Sequence, residues 1–259
     1  MKTKLLCCLM YVFAILSVGF TQSVWEKRYP FVKGNDLYEV ACDNYQFIAV
    51  GECGTILTSP DCTIWTKRAF GLKINLNSIT YGNNQFFIIV GNNGIVLTSP
   101  DGIKWTARSS GTTKSLNSVT YGNNQFIAVG DRGIILTSPE GAMWTERSSG
   151  TTKSLNSVTY GNNQFIVVGD RGTILTSPDG ITWTERFTGT KEYLCSVTYG
   201  NNQFIAVGDS SAILISPDGV IWTERIYAIK NSLKSVSYGK TQFTAVSQRG
   251  IYASPDGLV

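Results

Sequence analysis

A unit of 39 to 40 residues recurs along almost the whole chain, and its tryptophans mark the period at positions 25, 65, 105, 144, 183 and 222. The last five tryptophans each follow a turn, in the segments SPDCTIW, SPDGIKW, SPEGAMW, SPDGITW and SPDGVIW. A period of roughly 40 residues is typical of β-propeller blades and of HEAT-type helical repeats. Glycines and Asn-Asn pairs interrupt the units, and Val, Ile, Thr and Tyr dominate them, which disfavours helix. The repeat therefore predicts an all-β protein.

Each unit predicts a meander of four short strands joined by tight turns. In the unit between residues 116 and 147, the predicted strands are Leu116–Tyr121, Phe126–Gly130, Ile134–Thr137 and Met143–Arg147. The Asn-Asn pair between the first two strands tolerates the left-handed backbone of a two-residue hairpin. Ser-Pro-Glu-Gly before the fourth strand suits a type I turn. One such sheet cannot bury both faces alone, so we expect the copies to stack radially.

The two ends of the sequence predict the number of blades. Residues 24–28, VWEKR, match the fourth strand of a unit that has no first three strands before it. The last unit stops at Ser-Pro-Asp-Gly-Leu-Val, where the next tryptophan would follow. We therefore predict a six-bladed β-propeller of four-stranded blades, each about 39 residues long. The Trp25 strand would close the ring by pairing with residues 250–254, which hides the sheet edges.

The first residues have the pattern of a secretory signal peptide. Lys2 and Lys4 precede an uncharged apolar run from Leu5 to Phe20, and small residues follow. This pattern predicts a signal peptide over 1–22, cleaved between Gly19 and Ser23, and a single propeller domain over 23–259. The run of 16 residues is shorter than the roughly 20 of a membrane span, and an uncleaved anchor is the alternative. We expect a secreted monomer, extracellular or periplasmic, with no membrane span after cleavage.

Composition excludes several classes of function. The chain has no histidine, which excludes a Ser-His-Asp triad, a Cys-His dyad and an imidazole metal site. Its formal net charge is +4, or +2 without the two lysines of the leader, which gives no electrostatic basis for nucleic-acid binding. The sequence predicts no cofactor and no metal.

Four cysteines follow the leader, at Cys42, Cys53, Cys62 and Cys195. They allow three pairings, and the sequence does not choose among them. The repeat alignment puts Cys42 and Cys62 near the same end of one blade, so we favour that pair over the others, with unpaired thiols as the alternative. No CxxC spacing follows the leader, which disfavours a zinc site, and no Asn-x-Ser/Thr sequon is present.

The Ser-Pro-Asp-Gly-x-x-Trp turn resembles the Asp-box, or BNR, repeat of sialidases and related propellers, and the repeats of the photosystem II assembly-factor type. The resemblance runs from Trp25 to Val259, but the Asp-to-Trp distance is four residues here and five in the usual box. It implies a structural role for the turn acids, whose carboxylates can accept hydrogen bonds from turn N–H groups. A calcium or ligand role is the alternative. These acids are Asp61, Asp101, Glu140, Asp179, Asp218 and Asp256.

The layout of that family also implies a ligand-binding face. The loops between second and third strands would share this face with the loops that link the blades. Salt bridges between blades are the alternative role for the charged residues of these loops. The candidate binding residues are Lys114, Asp131, Arg132, Lys153, Asp170 and Arg171.

Glycoside hydrolysis needs two carboxylates in different environments, which near-identical blades do not provide. Only residues that depart from the repeat supply that difference, and they are the candidates for catalysis. Glu39 replaces a recurring serine, and Asp36 lies just before it. Glu192 and Tyr193 interrupt the fifth linking loop. No cluster of unique arginines matches the sialidase catalytic set. We therefore predict a non-catalytic module that binds a glycan or an extracellular protein on its loop face. A sialidase-like glycoside hydrolase and an assembly or scaffold factor are the alternatives.

Overall fold

The computed structural model describes residues 35–43, 45–68, 70–83, 86–225 and 231–257. Over these ranges, 23 strands form six antiparallel sheets, and each sheet is a meander in chain order. We number the sheets as blades 1 to 6 along the chain. The prediction of an all-β, six-bladed propeller with four-stranded blades is confirmed.

The blades have nearly the same strand lengths. Blade 1 comprises β1 Leu37–Cys42, β2 Phe47–Gly51, β3 Ile56–Ser59 and β4 Thr66–Arg68. Blade 2 comprises β5 Leu76–Gly82, β6 Phe86–Gly91, β7 Val96–Ser99 and β8 Thr106–Arg108. Blade 3 comprises β9 Leu116–Gly122, β10 Gln125–Gly130, β11 Ile135–Ser138 and β12 Thr145–Arg147.

Blades 4 and 5 repeat this plan, and the described residues of blade 6 contain its first three strands. Blade 4 comprises β13 Leu155–Gly161, β14 Gln164–Gly169, β15 Ile174–Ser177 and β16 Thr184–Arg186. Blade 5 comprises β17 Leu194–Gly200, β18 Gln203–Gly208, β19 Ile213–Ser216 and β20 Thr223–Arg225. Blade 6 comprises β21 Leu233–Gly239, β22 Gln242–Ser247 and β23 Ile251–Ser254. Short 3₁₀ turns join second to third strands at Glu52–Gly54, Asn92–Gly94, Asp131–Gly133, Asp170–Gly172 and Asp209–Ser211.

The predicted fourth strand of the repeat begins too early. We predicted a start at Met143, but β12 begins at Thr145. The preceding residues remain in the turn, where the Trp144 indole Nε1 donates a hydrogen bond to the Gly141 carbonyl at 3.0 Å. The predicted hairpin between the first two strands is present, with Asn123 and Asn124 at φ 45° and 57°, the left-handed region that asparagine tolerates.

Two predictions fall on residues outside the described ranges. They are the leader over 1–22 and the closing strand over 24–28. Among the described residues, blade 6 has three strands. The closure of the ring by the Trp25 strand therefore stays a prediction.

The core lies between adjacent blades, because the middle strands of each blade are apolar on both faces. Every residue from Phe126 to Gly130 in β10 is buried, whereas the short outer strand β12 is largely exposed. Ile127 and Val129 of blade 3 pack with Leu155 and Phe165 of blade 4 in one buried cluster. Continuous apolar strands of this kind are typical of sheets covered on both faces.

Polar contacts at equivalent positions join each blade to the next. The Ser118 hydroxyl in blade 3 accepts a hydrogen bond from the Val158 amide in blade 4 at 3.2 Å. In blade 1 Glu39 replaces this serine, and its carboxylate accepts a bond from the Ile79 amide of blade 2 at 3.1 Å.

The antiparallel meander gives each blade two different ends. In blade 3 one end carries the hairpin turns at 123–124 and 139–144, and we call this end of the molecule the turn face. The other end carries the 3₁₀ turn at 131–133 and the segment 148–154, which links blades 3 and 4, and we call it the cavity face.

Candidate functional site

The acidic residues of the repeated turns bond their own backbone on the turn face. The Asp101 carboxylate accepts hydrogen bonds from the amides of Ile103 and Lys104, both at 2.8 Å, and from the Ser99 hydroxyl at 3.1 Å. Asp61, Asp179 and Asp218 form the corresponding set of bonds. The Ser254 hydroxyl bonds the Asp256 carboxylate at 3.2 Å. Glu140 occupies the same turn position in blade 3.

These bonds predict how stability depends on pH. Bonds from the amides of Thr182 and Ile181 hold the pKa of Asp179 below its usual value. A carboxylate with a lowered folded-state pKa stabilises the fold above the unfolded pKa of about 4, and this stabilisation is lost as pH falls through the folded pKa.

We therefore expect Asp179→Asn to lower the melting temperature by about 2–4 °C near pH 7, since one bond to a largely solvated carboxylate contributes about 1 kcal/mol. The difference from the wild type should shrink below about pH 4, where the wild-type carboxyl becomes protonated. Thermal unfolding of both proteins, followed by circular dichroism from below pH 4 to pH 7, measures this difference in melting temperature. A difference that is constant with pH would contradict the assignment.

A cavity of about 620 Å³, lined mostly by polar residues, lies at the cavity face. Residues from all six blades line it, which places it on the axis of the propeller. The lining residues are Tyr38, Asn75, Asn77, Asn92, Asn117, Asp131, Ser154, Asn156, Asp170, Tyr193, Cys195 and Lys234. Concave sites with a few convergent polar groups are the usual places for ligand binding.

The second residue of each inner strand forms a ring around this cavity. Three blades have asparagine there, and each side chain joins two blades. Asn117 Nδ2 donates to the Asp131 carboxylate of its own blade at 3.1 Å and to the Leu155 carbonyl of blade 4 at 3.0 Å. The six residues of the ring are Tyr38, Asn77, Asn117, Asn156, Cys195 and Lys234.

Blades 1, 5 and 6 break the asparagine pattern, which makes the cavity asymmetric. Lys234 Nζ of blade 6 bonds the Asp209 carboxylate of blade 5 at 2.6 Å. Burial favours the neutral form of each partner, but the hydrogen bond and the opposite charges outweigh it. They hold the pKa of Lys234 above its usual value and the pKa of Asp209 below it.

Two tyrosines also belong to the asymmetric side. The Tyr38 hydroxyl donates to the Glu52 carboxylate at 3.0 Å, and burial together with this acid raises the pKa of Tyr38. The Tyr193 hydroxyl donates to Asn156 Oδ1 at 3.0 Å. Burial, and then the charge of Asp170, raise the pKa of Tyr193 to about 12. Both hydroxyls are therefore neutral donors near neutral pH.

The structure separates the six predicted binding residues into three positions. Asp131 and Asp170 line the cavity. Lys114 and Lys153 lie in the linking segments, where their ammonium groups are 3.7 Å and 3.3 Å from the carboxylates of Glu146 and Glu185. These glutamates lie on the outer strands β12 and β16, away from the cavity wall.

The remaining two predicted binding residues are Arg132 and Arg171. They occupy the centres of the 3₁₀ turns with φ 55° and are exposed. Neither residue is part of the cavity lining.

The three catalytic candidates from the sequence, Glu39, Asp36 and Glu192, are not brought together around the cavity. Glu39 bonds the inner strand of blade 2, as described above. The Asp36 amide and carbonyl bond Glu52 in blade 1. Glu192 accepts a bond from the Gly172 amide through its backbone carbonyl, in the linking segment before blade 5. None of the three lines the cavity.

The four described cysteines form no disulfide, so the favoured pairing of Cys42 with Cys62 is not present. Cys62 is buried and stands at φ 62°, where the other blades have glycine. Burial, and then the charge of Asp61, raise the pKa of the Cys62 thiol to about 12. A thiol in this environment is mostly protonated at neutral pH and is therefore a weak nucleophile.

Sequence reasoning missed most of the cavity lining. Tyr38, Asn75, Cys195 and Lys234 differ from the residues at equivalent positions of other blades, and that difference is the signal that reveals them. Asn117 and its equivalents, Asn77 and Asn156, are the same residue in three blades. Such repetition indicates a structural role, so the sequence does not mark these residues as part of a binding site.

Comparisons with known proteins support a family of propeller repeats. The model of the DUF6242 β-propeller domain matches residues 40–154. A comparison with curated protein sequences gives no match. The match covers less than half of the chain, and it agrees with the propeller fold described above.

Three solved structures share the fold at low sequence identity. YCF48 bound to D1 peptide has a TM-score of 0.69 and 18% identity, with 85% of this chain and 78% of that chain covered. YCF48 from Cyanidioschyzon merolae has a TM-score of 0.66 and 16% identity, covering 85% and 82%. A catalytically inactive virginiamycin B lyase from Staphylococcus aureus with quinupristin has a TM-score of 0.77 and 14% identity, covering 86% and 81%.

No helix in the described ranges is long and apolar enough to cross a membrane. No group of three or more Cys, Asp or Glu side chains in the described part of the chain is placed to hold a metal ion.

Proposed function

We propose that this chain is a non-catalytic binding module that holds a segment of a protein partner in the axial cavity. The observation that carries the proposal is the cavity itself, which all six blades line and in which residues that depart from the repeat are concentrated. The repeated turns and buried strands position the cavity side chains that depart from the repeat. Function depends on the residues of such a site and not on the fold alone.

The fold neighbours support a polypeptide ligand. The YCF48 structure contains a bound D1 peptide on a propeller of similar size. Backbone groups of an extended peptide can bond the amides and carboxylates of the cavity wall, such as Asn75, Asn92 and Asp170. The proposal includes export of the chain by the leader over 1–22 and a structural, Asp-box-type role for the repeated turns.

A glycan is the second candidate, because the wall combines asparagine amides and carboxylates with an accessible aromatic ring. Tyr193 lines the cavity and has 42% of its surface exposed. Such a ring can pack against a sugar while the neighbouring polar side chains bond its hydroxyl groups.

Parallel binding screens of the full chain separate these candidates. The purified protein is presented to a displayed peptide library, to a glycan array and to a set of aryl glycosides. We expect retention of peptides. Retention of glycans alone would favour the second candidate, and turnover of any aryl glycoside by the wild type but not by Glu39→Gln would favour the hydrolase. Absence of retained peptides would overturn the proposed polypeptide ligand.

A further inference from the structure

The cavity wall of blades 3 and 4 contains two carboxylates, and neutral amides are the side-chain partners that they have among the described residues. Asn117 Nδ2 bonds Asp131 at 3.1 Å, and Asn156 Nδ2 bonds Asp170 at 3.2 Å. Within the described ranges, no lysine or arginine nitrogen lies within 4.0 Å of either carboxylate. Both side chains are half-buried, so solvent screens their charges less than it would on an open surface.

The cations nearby do not neutralise these two carboxylates. Lys234 lines the cavity, but its ammonium group is bonded to Asp209 at 2.6 Å. Arg132 and Arg171 follow the two aspartates in the chain, yet their side chains are exposed and lie outside the cavity lining. Glu52 of blade 1 adds a further acid beside the wall, where it bonds Tyr38. The cavity is therefore electronegative.

Tyr193 provides an aromatic surface within this electronegative cavity. Tyr193 lines the cavity, and 42% of the residue is exposed. After burial, the charge of Asp170 contributes most to the raised pKa of Tyr193, which indicates that this carboxylate lies close to the tyrosine. An aromatic face next to carboxylates is a favourable environment for an ammonium or guanidinium group.

We propose that the cavity binds a cationic group of its ligand, beside Asp131, Asp170 and Tyr193. The group is the side chain of a lysine or arginine in the partner polypeptide, and this inference rests on the function proposed above. The cation would supply the charge that the two carboxylates lack. The partner backbone would contact the amide-rich remainder of the wall.

The test uses peptides recovered from a random displayed library on the full wild-type chain. Each recovered peptide is synthesised as selected and with every lysine and arginine replaced in turn by alanine, and lysine also by N-acetyl-lysine. We expect one cationic position whose replacement weakens binding about tenfold to a hundredfold, the effect of losing a charge-assisted hydrogen bond.

Two double variants of the protein locate the partner of that cation. Asp131→Asn with Asp170→Asn keeps an acceptor oxygen for each asparagine bond and removes both charges. Glu146→Gln with Glu185→Gln removes the same charge from the outer strands of the same two blades. We expect the Asp131 and Asp170 double variant to bind the selected peptide more weakly than the wild type does, by a similar factor. Replacing the cation of the peptide should then weaken its binding to this variant no further, as a double-mutant cycle requires. The outer-strand variant should bind as the wild type does.

Other outcomes separate this inference from the proposed function. Peptides that bind equally well without any cation, and that the Asp131 and Asp170 substitutions do not affect, would overturn the inference and leave the binding module intact. Equal losses in both double variants would also overturn it, because they would show a general effect of net charge. If the library yields no peptide, both proposals fail.

Discussion

Gly133→Ala is expected to destabilise the propeller by about 3–5 kcal/mol, because it combines a left-handed backbone with a steric overlap. Gly133 ends the 3₁₀ turn of blade 3 at φ 72° and is buried. A Cβ atom there would overlap the carbonyl oxygen of Thr151, in the segment that links blade 3 to blade 4. Because the nearest atom belongs to the backbone of Thr151, rotation of a side chain cannot relieve this overlap.

Gly150 provides a matched control for this substitution. It has the same φ of 72°, but no atom lies within 4 Å of the position that its Cβ would occupy. Gly150→Ala should therefore cost only about 1 kcal/mol, the cost of the left-handed conformation. Urea unfolding followed by tryptophan fluorescence compares the two variants. Equal losses would show that the turn and the linking segment are not in close contact.

Phe165→Ala is expected to cost about 3–5 kcal/mol, since it removes a large side chain from the core between blades. Phe165 is fully buried, and its ring centroid lies 4.7 Å from that of Tyr160 and 6.5 Å from that of Trp183. Phe187→Ala is the control, because Phe187 is 89% exposed and its loss should change stability by less than about 0.5 kcal/mol. Similar unfolding midpoints for the two variants would contradict this position of the core.

The regular part of the fold could be predicted because its signals are local. The Asn-Asn pairs, the Ser-Pro-Asp-Gly turns and the apolar runs each specify a short piece of backbone. Their repetition then specifies the radial stacking, and the predicted strands of blade 3 agree with β9 to β12 within two residues. The start of β12 was missed because the Trp144 indole bonds the turn, which extends it.

The cavity was predicted less well, because its lining depends on the direction of side chains between blades. The sequence placed Lys114 and Asp131 on one face, and both lie on loops of the cavity face. It did not show that Lys114 points outward to Glu146 whereas Asp131 points to the axis. Lys234 replaces an asparagine of the ring, so a comparison of equivalent positions reveals it without any structure.

A variant that fills the axial cavity tests whether the ligand binds there. Ser154 lines the cavity, and its equivalent in blade 5 is Tyr193, so this position accepts a tyrosine ring. Thr182→Tyr is the control, since Thr182 is exposed in a turn of the opposite face. The measurement is the Kd of the tightest-binding peptide from the library for Ser154→Tyr, Thr182→Tyr and the wild type.

We predict that Ser154→Tyr weakens binding at least about tenfold, because its ring occupies the space of the ligand. Thr182→Tyr should bind like the wild type, and both variants should have wild-type circular dichroism spectra. Unchanged affinity in a folded Ser154→Tyr, or a loss in Thr182→Tyr alone, would place the ligand elsewhere and contradict the account.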